Sequence, residues 1–142
     1  MKKASYILFI IGAACSFLIA FAFIVCSIVF FVFAGPNCTQ MIVDGIRNGS
    51  IRSTIGGTPE EKAAIIQLVF LITAIVFIPG TLIAIASGVF SILGTKKESS
   101  VLYVLNIVFG LLCGSFFNLV AAIIGMISYQ KPVQEQPNQQ QF

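Results

Sequence analysis

A chain of 142 residues that is 58% hydrophobic and 9% charged, with a mean hydropathy of +1.02, lies far from the roughly 25% charged residues of soluble domains. That balance excludes a water-soluble domain built around one core. Eight basic and five acidic residues leave a net charge of +3, all outside the apolar runs, which fits membrane orientation rather than nucleic-acid binding.

The pattern predicts an all-α integral membrane protein. Residues 1–130 form a transmembrane helical domain, a four-helix bundle with two long helices and a shorter C-terminal hairpin, and 131–142 form a disordered tail. Lys2 and Lys3 precede an apolar run from Tyr6 to Ala34. This run exceeds the roughly 7 to 15 residues of a signal-peptide core, so it reads as a retained first span, about 6–34, although Val32-Phe33-Ala34 is similar to a cleavage site. Phe21, Phe23, Phe30, Phe31 and Phe33 suit a face turned to lipid or to another membrane helix, with packing inside the chain as the alternative.

Gly35-Pro36 breaks the run and opens a polar outer loop, 35–62. Its Met41–Arg47 stretch has apolar residues at partial helical spacing, with Ile51 and Ile55 continuing that face, and reads either as a short surface helix or as irregular loop. Asn37-Cys38-Thr39 and Asn48-Gly49-Ser50 are glycosylation sequons, used only if the protein passes through a eukaryotic secretory pathway. Cys15, Cys26 and Cys113 lie in apolar runs and act there as small hydrophobes. Cys38 is outside, either free or paired between chains.

Thr58-Pro59-Glu60-Glu61 starts the second span, 63–94. Thr58 and Glu61 have capping-box spacing, Pro59 sits in the first turn, and the acids complement the helix dipole. Gly94 is the expected stop. Pro79, followed by Gly80, removes the donor for the Ile75 carbonyl and predicts a bend near Phe77, with Thr81 or a neighbouring helix serving the freed carbonyl.

Lys96-Lys97 marks a basic turn. With Lys2, Lys3 and Lys131 it predicts cytoplasmic N- and C-termini, the loop carrying Cys38 lying outside. The stretch Val101–Tyr129 reads as two short spans, 101–113 and 116–129, turning at Gly114-Ser115 with Asn118 available as a cap, or as one span, which would give three in all. The tail is rich in glutamine and proline and cannot bury apolar surface.

The chain contains no histidine. No carboxylate pair falls within a span, and phosphate-cradle, zinc-helix and acyl-transfer motifs are absent. Neither an enzyme nor any cofactor or metal is therefore expected. Ion-coupled transporters place ionisable groups within the membrane, and these spans carry none. The polar residues that remain there, chiefly Gln67, Thr81, Asn106 and Asn118, are expected to join helices by hydrogen bonds. Gly12 with Ser16, Ala84 with Gly88, Gly110 with Gly114, and Ala121 with Gly125 recur at four-residue spacing and predict close helix packing.

Taken together these segments resemble a family of small bacterial multi-span membrane proteins of unknown function. The likeness is carried by Met1-Lys2-Lys3, by Phe90-Ser91-Ile92-Leu93-Gly94 before Lys96-Lys97, and by Ile107 to Leu112 and Ala122 to Gly125 before Lys131-Pro132. It implies a helical multi-span fold and supplies no catalytic residue. The longer polar loop and glutamine-rich tail depart from it. By layout alone the loop between the first two spans is similar to claudin-like and tetraspan proteins, without their paired loop cysteines and Trp-containing motif. The expected role is a non-enzymatic structural or interaction component of the cell membrane, or alternatively a small oligomeric channel or passive transport subunit. Its expected partners are membrane lipid and a second copy or other membrane proteins, with no nucleic acid.

Overall fold

The computed structural model describes residues 2–130, so the expected tail and Lys131 lie outside the described residues. The described chain is all-helical. Helix α1 is Lys2–Ala34, a 3-10 turn covers Pro36–Cys38, α2 is Thr39–Arg47, α3 is Pro59–Lys96, α4 is Ser100–Cys113 and α5 is Phe116–Gln130. Among the described residues, two helices, α1 and α3, are long and apolar enough to cross a membrane, by length and composition. The described residues divide into two compact units, one formed by 2–20 with 82–130 and the other by 21–81.

In the unit of 21–81 the first part of the loop 35–62 is helical rather than irregular. Pro36 begins the 3-10 turn, and α2 follows. Its Ile42 and Val43 are buried on Ala63 at the start of α3, beside Ile66 and Phe70. Gly49 adopts a left-handed φ of 78° and reverses the chain. The Ile51 N–H then bonds back to the Gly45 carbonyl at 2.8 Å, and Ile51 covers Gly45. The capping box closes in both directions: the Glu61 N–H donates to Thr58 Oγ1 at 3.3 Å, and the Thr58 N–H to Glu61 Oε2 at 3.0 Å. Two of the orphan donors at the start of a long helix are thereby satisfied.

Phenylalanines divide by face. Phe30 stacks on Phe77, while Phe23 meets Phe77 and Phe30 and Phe33 meet Phe70 at a tilt, with ring centroids 5.3–6.0 Å apart, contacts worth about 0.5–1.5 kcal/mol per pair beyond area burial. Phe21 and Phe31 are exposed. Gly80 allows this packing, since a Cβ there would stand 3.2 Å from the Phe23 ring.

In the other unit α4 and α5 form an antiparallel hairpin. Gly114, at φ 69°, is the left-handed C-cap of α4, and the Ser115 N–H returns to the Gly110 carbonyl at 2.8 Å. Past the turn, Tyr103 near the start of α4 meets Tyr129 near the end of α5 edge-on at 6.3 Å. Tyr103 also lies parallel to Phe9 of α1, and around this pair Ala121 and Ala122 complete the core.

Three local expectations change. Gly94 does not stop α3, which runs on to Lys96; Gly94 instead gives room to the Phe9 ring, 3.1 Å from where a Cβ would stand. Gly114 is a turn residue with nothing near its missing Cβ, so its spacing from Gly110 does not mark a packing pair. Asn118 does not cap α5. It lies inside the helix, fully buried.

Candidate functional site

Five of the buried polar side chains of the unit built on 82–130 form two clusters. In the first, the Asn118 amide donates to Ser16 Oγ at 3.0 Å and to Ser87 Oγ at 2.9 Å, and the two hydroxyls lie 3.3 Å apart. One asparagine thus ties α5 to α1 and α3. Gly12 makes room for it: a Cβ at Gly12 would stand 1.7 Å from Asn118 Oδ1. The Gly12 Cα–H therefore points at that oxygen, which has no conventional donor, and this contact is of the weak Cα–H···O kind. In the second cluster the Asn106 amide donates to the Phe90 and Leu102 carbonyls, both at 2.9 Å, and its oxygen accepts from Ser91 at 3.1 Å. Asn106, Asn118, Ser16, Ser87 and Ser91 are fully buried. Deep in an apolar bundle an unpaired amide costs more than a paired one gains, so these clusters fix which helix faces meet.

The remaining small residues hold comparable positions. Ala84 and Ala121 are fully buried, Gly88 lies against Phe17, and Gly110 lies against the Leu119 backbone. A Cβ at Gly125 would stand 2.6 Å from the Tyr103 ring.

In the unit of 21–81, the Gln67 amide donates to the Gly35 carbonyl at 2.9 Å and to Thr39 Oγ1 at 3.0 Å, fastening the α1–α2 junction to α3. Pro79 lies within α3, whose helical run continues across it. Thr81 Oγ1 donates to the Phe77 carbonyl at 2.8 Å, not to that of Ile75. A helical threonine reaches four residues back, and Ile75 is six back. Of the sequon asparagines, Asn37 lies in the 3-10 turn, and Asn48 ends α2 with its side-chain oxygen accepting from the Ser50 N–H at 2.9 Å. All four cysteines are free.

Sequence reasoning missed a cavity of ≈ 450 Å³ in the unit built on 82–130, at the end where α1 and α4 begin and α3 and α5 finish. Phe9 and Tyr103 form its inner wall, and Gly94 and Gly125 supply walls without side chains. All three tyrosines of the chain, Tyr6, Tyr103 and Tyr129, line it. At its mouth are Lys2 and Lys3. Lys2 Nζ pairs with Glu98 at 3.1 Å, both side chains more than half exposed. Ser128 lines the cavity as well, and its hydroxyl is buried without a hydrogen-bond partner. A signal was present in the sequence: each tyrosine sits on the lysine-bearing end of its apolar run, near Lys3, Lys97 or Lys131.

No family model, no curated protein and no solved structure matches the chain. The family resemblance therefore rests on the residues quoted for it.

Proposed function

We propose that the chain is a multi-pass integral membrane protein of four spans, acting without enzymatic chemistry as a structural or protein-interaction component of the cell membrane. One observation carries this reading: apolar side chains face out while polar ones face in. Leu18, Phe21, Leu82, Leu111 and Phe116 are 64–70% exposed, whereas Ser16, Ser87, Asn106 and Asn118 are 0% exposed. In water each such apolar side chain would forgo about 1.5–3 kcal/mol of burial; in lipid it forgoes nothing, and polar groups must instead find partners inside.

In this reading α1 and α3, about 50 and 57 Å long at 1.5 Å per residue, cross with turns to spare. The two arms of the α4–α5 hairpin, about 21–22 Å each, are two short spans accommodated by bilayer thinning or by packing on the long helices. The lysine pairs Lys2-Lys3 and Lys96-Lys97, by the bias of basic residues toward the cytoplasm, support cytoplasmic termini with the loop 35–62 outside.

Labelling of intact cells with a membrane-impermeant thiol reagent tests the topology. A variant keeping only Cys38 is expected to be labelled. One keeping only an engineered Gln139→Cys is expected to react after permeabilisation, and its labelling in intact cells would refute four spans in favour of three. The role is tested in liposomes. Because Asn106 and Asn118 spend their amide donors within the chain, no ion flux above empty vesicles is expected. Flux abolished by Asn106→Ala or Thr81→Ala would establish the channel instead.

A further inference from the structure

The geometry points to the tyrosine-lined cavity as a binding site for an anionic, phosphate-bearing lipid headgroup. This rests on the membrane reading above and goes beyond it to a defined site and ligand class.

Its volume, ≈ 450 Å³, falls within the roughly 300–1,000 Å³ typical of small-ligand sites. Buried Phe9 and Tyr103 and the exposed Tyr6 and Tyr129 supply aromatic faces, Lys2 and Lys3 supply two ammonium groups, and Ser128 completes the lining. An occupant suited to aromatic faces beside ammonium groups carries an anionic oxygen group that a lysine can reach, as a phosphate does. Glu98 also lines the mouth and opposes an anion, but it is paired with Lys2. Lys3, which has no ion-pair partner among the described residues, is the cation left for the ligand.

Two features favour a lipid as the source of that phosphate. Tyrosine concentrates at the membrane–water interface, where its ring is apolar and its hydroxyl wet, and the chain places every tyrosine here. On α1, beside the mouth, Ile7, Ile10 and Ile11 are exposed and offer an apolar face on which acyl chains can lie. Basic pockets between membrane helices on the cytoplasmic side hold anionic headgroups by the same combination.

The chain provides its own reporter. It contains no tryptophan, so tyrosine emission comes from these three residues alone. The full chain would be reconstituted in phosphatidylcholine vesicles containing a minority of acyl-brominated phosphatidylglycerol or, separately, of acyl-brominated phosphatidylcholine. The phosphatidylglycerol is expected to half-quench emission at a mole fraction roughly five-fold lower, the factor that about one lysine contributes near an anionic lipid. Lys3→Gln should lower this preference, Glu98→Gln should raise it, and Lys97→Gln, whose lysine does not line the cavity, should leave it unchanged.

Equal quenching by the two lipids would overturn the proposal while leaving the membrane reading intact. So would equal loss from Lys3→Gln and Lys97→Gln, because general surface charge would then be responsible. Relief of quenching by millimolar glycerol phosphate without any preference between lipids would keep a phosphate site and overturn its lipid assignment. Failure of either brominated lipid to quench, with the chain released from vesicles by alkaline carbonate, would instead refute the membrane reading itself.

Discussion

Gly12→Ala probes whether the Asn118 cluster holds its unit together. The new Cβ would stand 1.7 Å from Asn118 Oδ1, 2.7 Å from its Cγ and 3.1 Å from its backbone nitrogen. The first two distances cannot be relieved by a few tenths of an ångström, so the amide must swing away from Ser16 and Ser87. Two hydrogen bonds are then lost, each worth on average about 0.6 kcal/mol between membrane helices. Overpacking adds roughly 1–3 kcal/mol, against which alanine regains about 1 kcal/mol of helix propensity. The expected net loss is about 1–3 kcal/mol, read as a shift in the midpoint of unfolding by sodium dodecyl sulfate in mixed micelles. In an Asn118→Ala background both clashing atoms are gone and only the 3.1 Å backbone contact remains. Gly12→Ala should there be neutral or stabilising by up to about 1 kcal/mol. The double-mutant cycle should therefore give a coupling of about 2 kcal/mol. An equal cost in both backgrounds, to within about 0.5 kcal/mol, would show that Gly12 and Asn118 act independently and would refute the reasoning.

Two further predictions concern α3. Glu60 is held below its ordinary value of 4.5 chiefly by its own backbone N–H and further by Arg47, with partial desolvation opposing. A lowered carboxylate contributes stability that is present above the unfolded value and lost as pH falls through the folded one. Amide exchange in the first turn of α3 should thus accelerate, relative to its intrinsic rate, as pH drops below about 4.5, and Glu60→Gln should flatten that profile; an unchanged profile in the variant would assign the effect elsewhere. Pro79→Ala returns a donor to the Ile75 carbonyl and is expected to shift the detergent unfolding midpoint by less than about 1 kcal/mol, since membrane helices satisfy the groups that proline frees. A loss as large as that of Gly12→Ala would make Pro79 a packing element.

What could be read from the sequence was local or periodic. Thr58 and Glu61 are three residues apart, so their reciprocal cap could be anticipated from spacing alone, as could helices built from apolar runs and a turn at Gly114-Ser115. Small residues at four-residue spacing announced close approach but not what approaches. Gly12 receives an asparagine, Gly88 a phenylalanine and Gly125 a tyrosine, and each visitor comes from a different helix. The same spacing misassigned Gly114, because a glycine that yields to a neighbour and one that takes positive φ look alike in sequence. Gly94 misled in the opposite sense, reading as a stop when its helix continues beneath the Phe9 ring.

The cavity was hidden for a topological reason. Tyr6, Tyr103 and Tyr129 are remote in sequence, and each lies near an end of a different apolar run. Only the hairpin at Gly114 brings the end of α5 back to the start of α4, and the Asn118 and Asn106 clusters then fix both arms against α1 and α3. The polar groups inside the bundle and the cavity at its lysine end are therefore linked: Asn118 decides where α5 lies, and α5 carries Gly125, Ser128 and Tyr129 into the cavity wall. A change at Gly12 that expels Asn118 should for that reason also alter tyrosine emission, although Gly12 does not line the cavity.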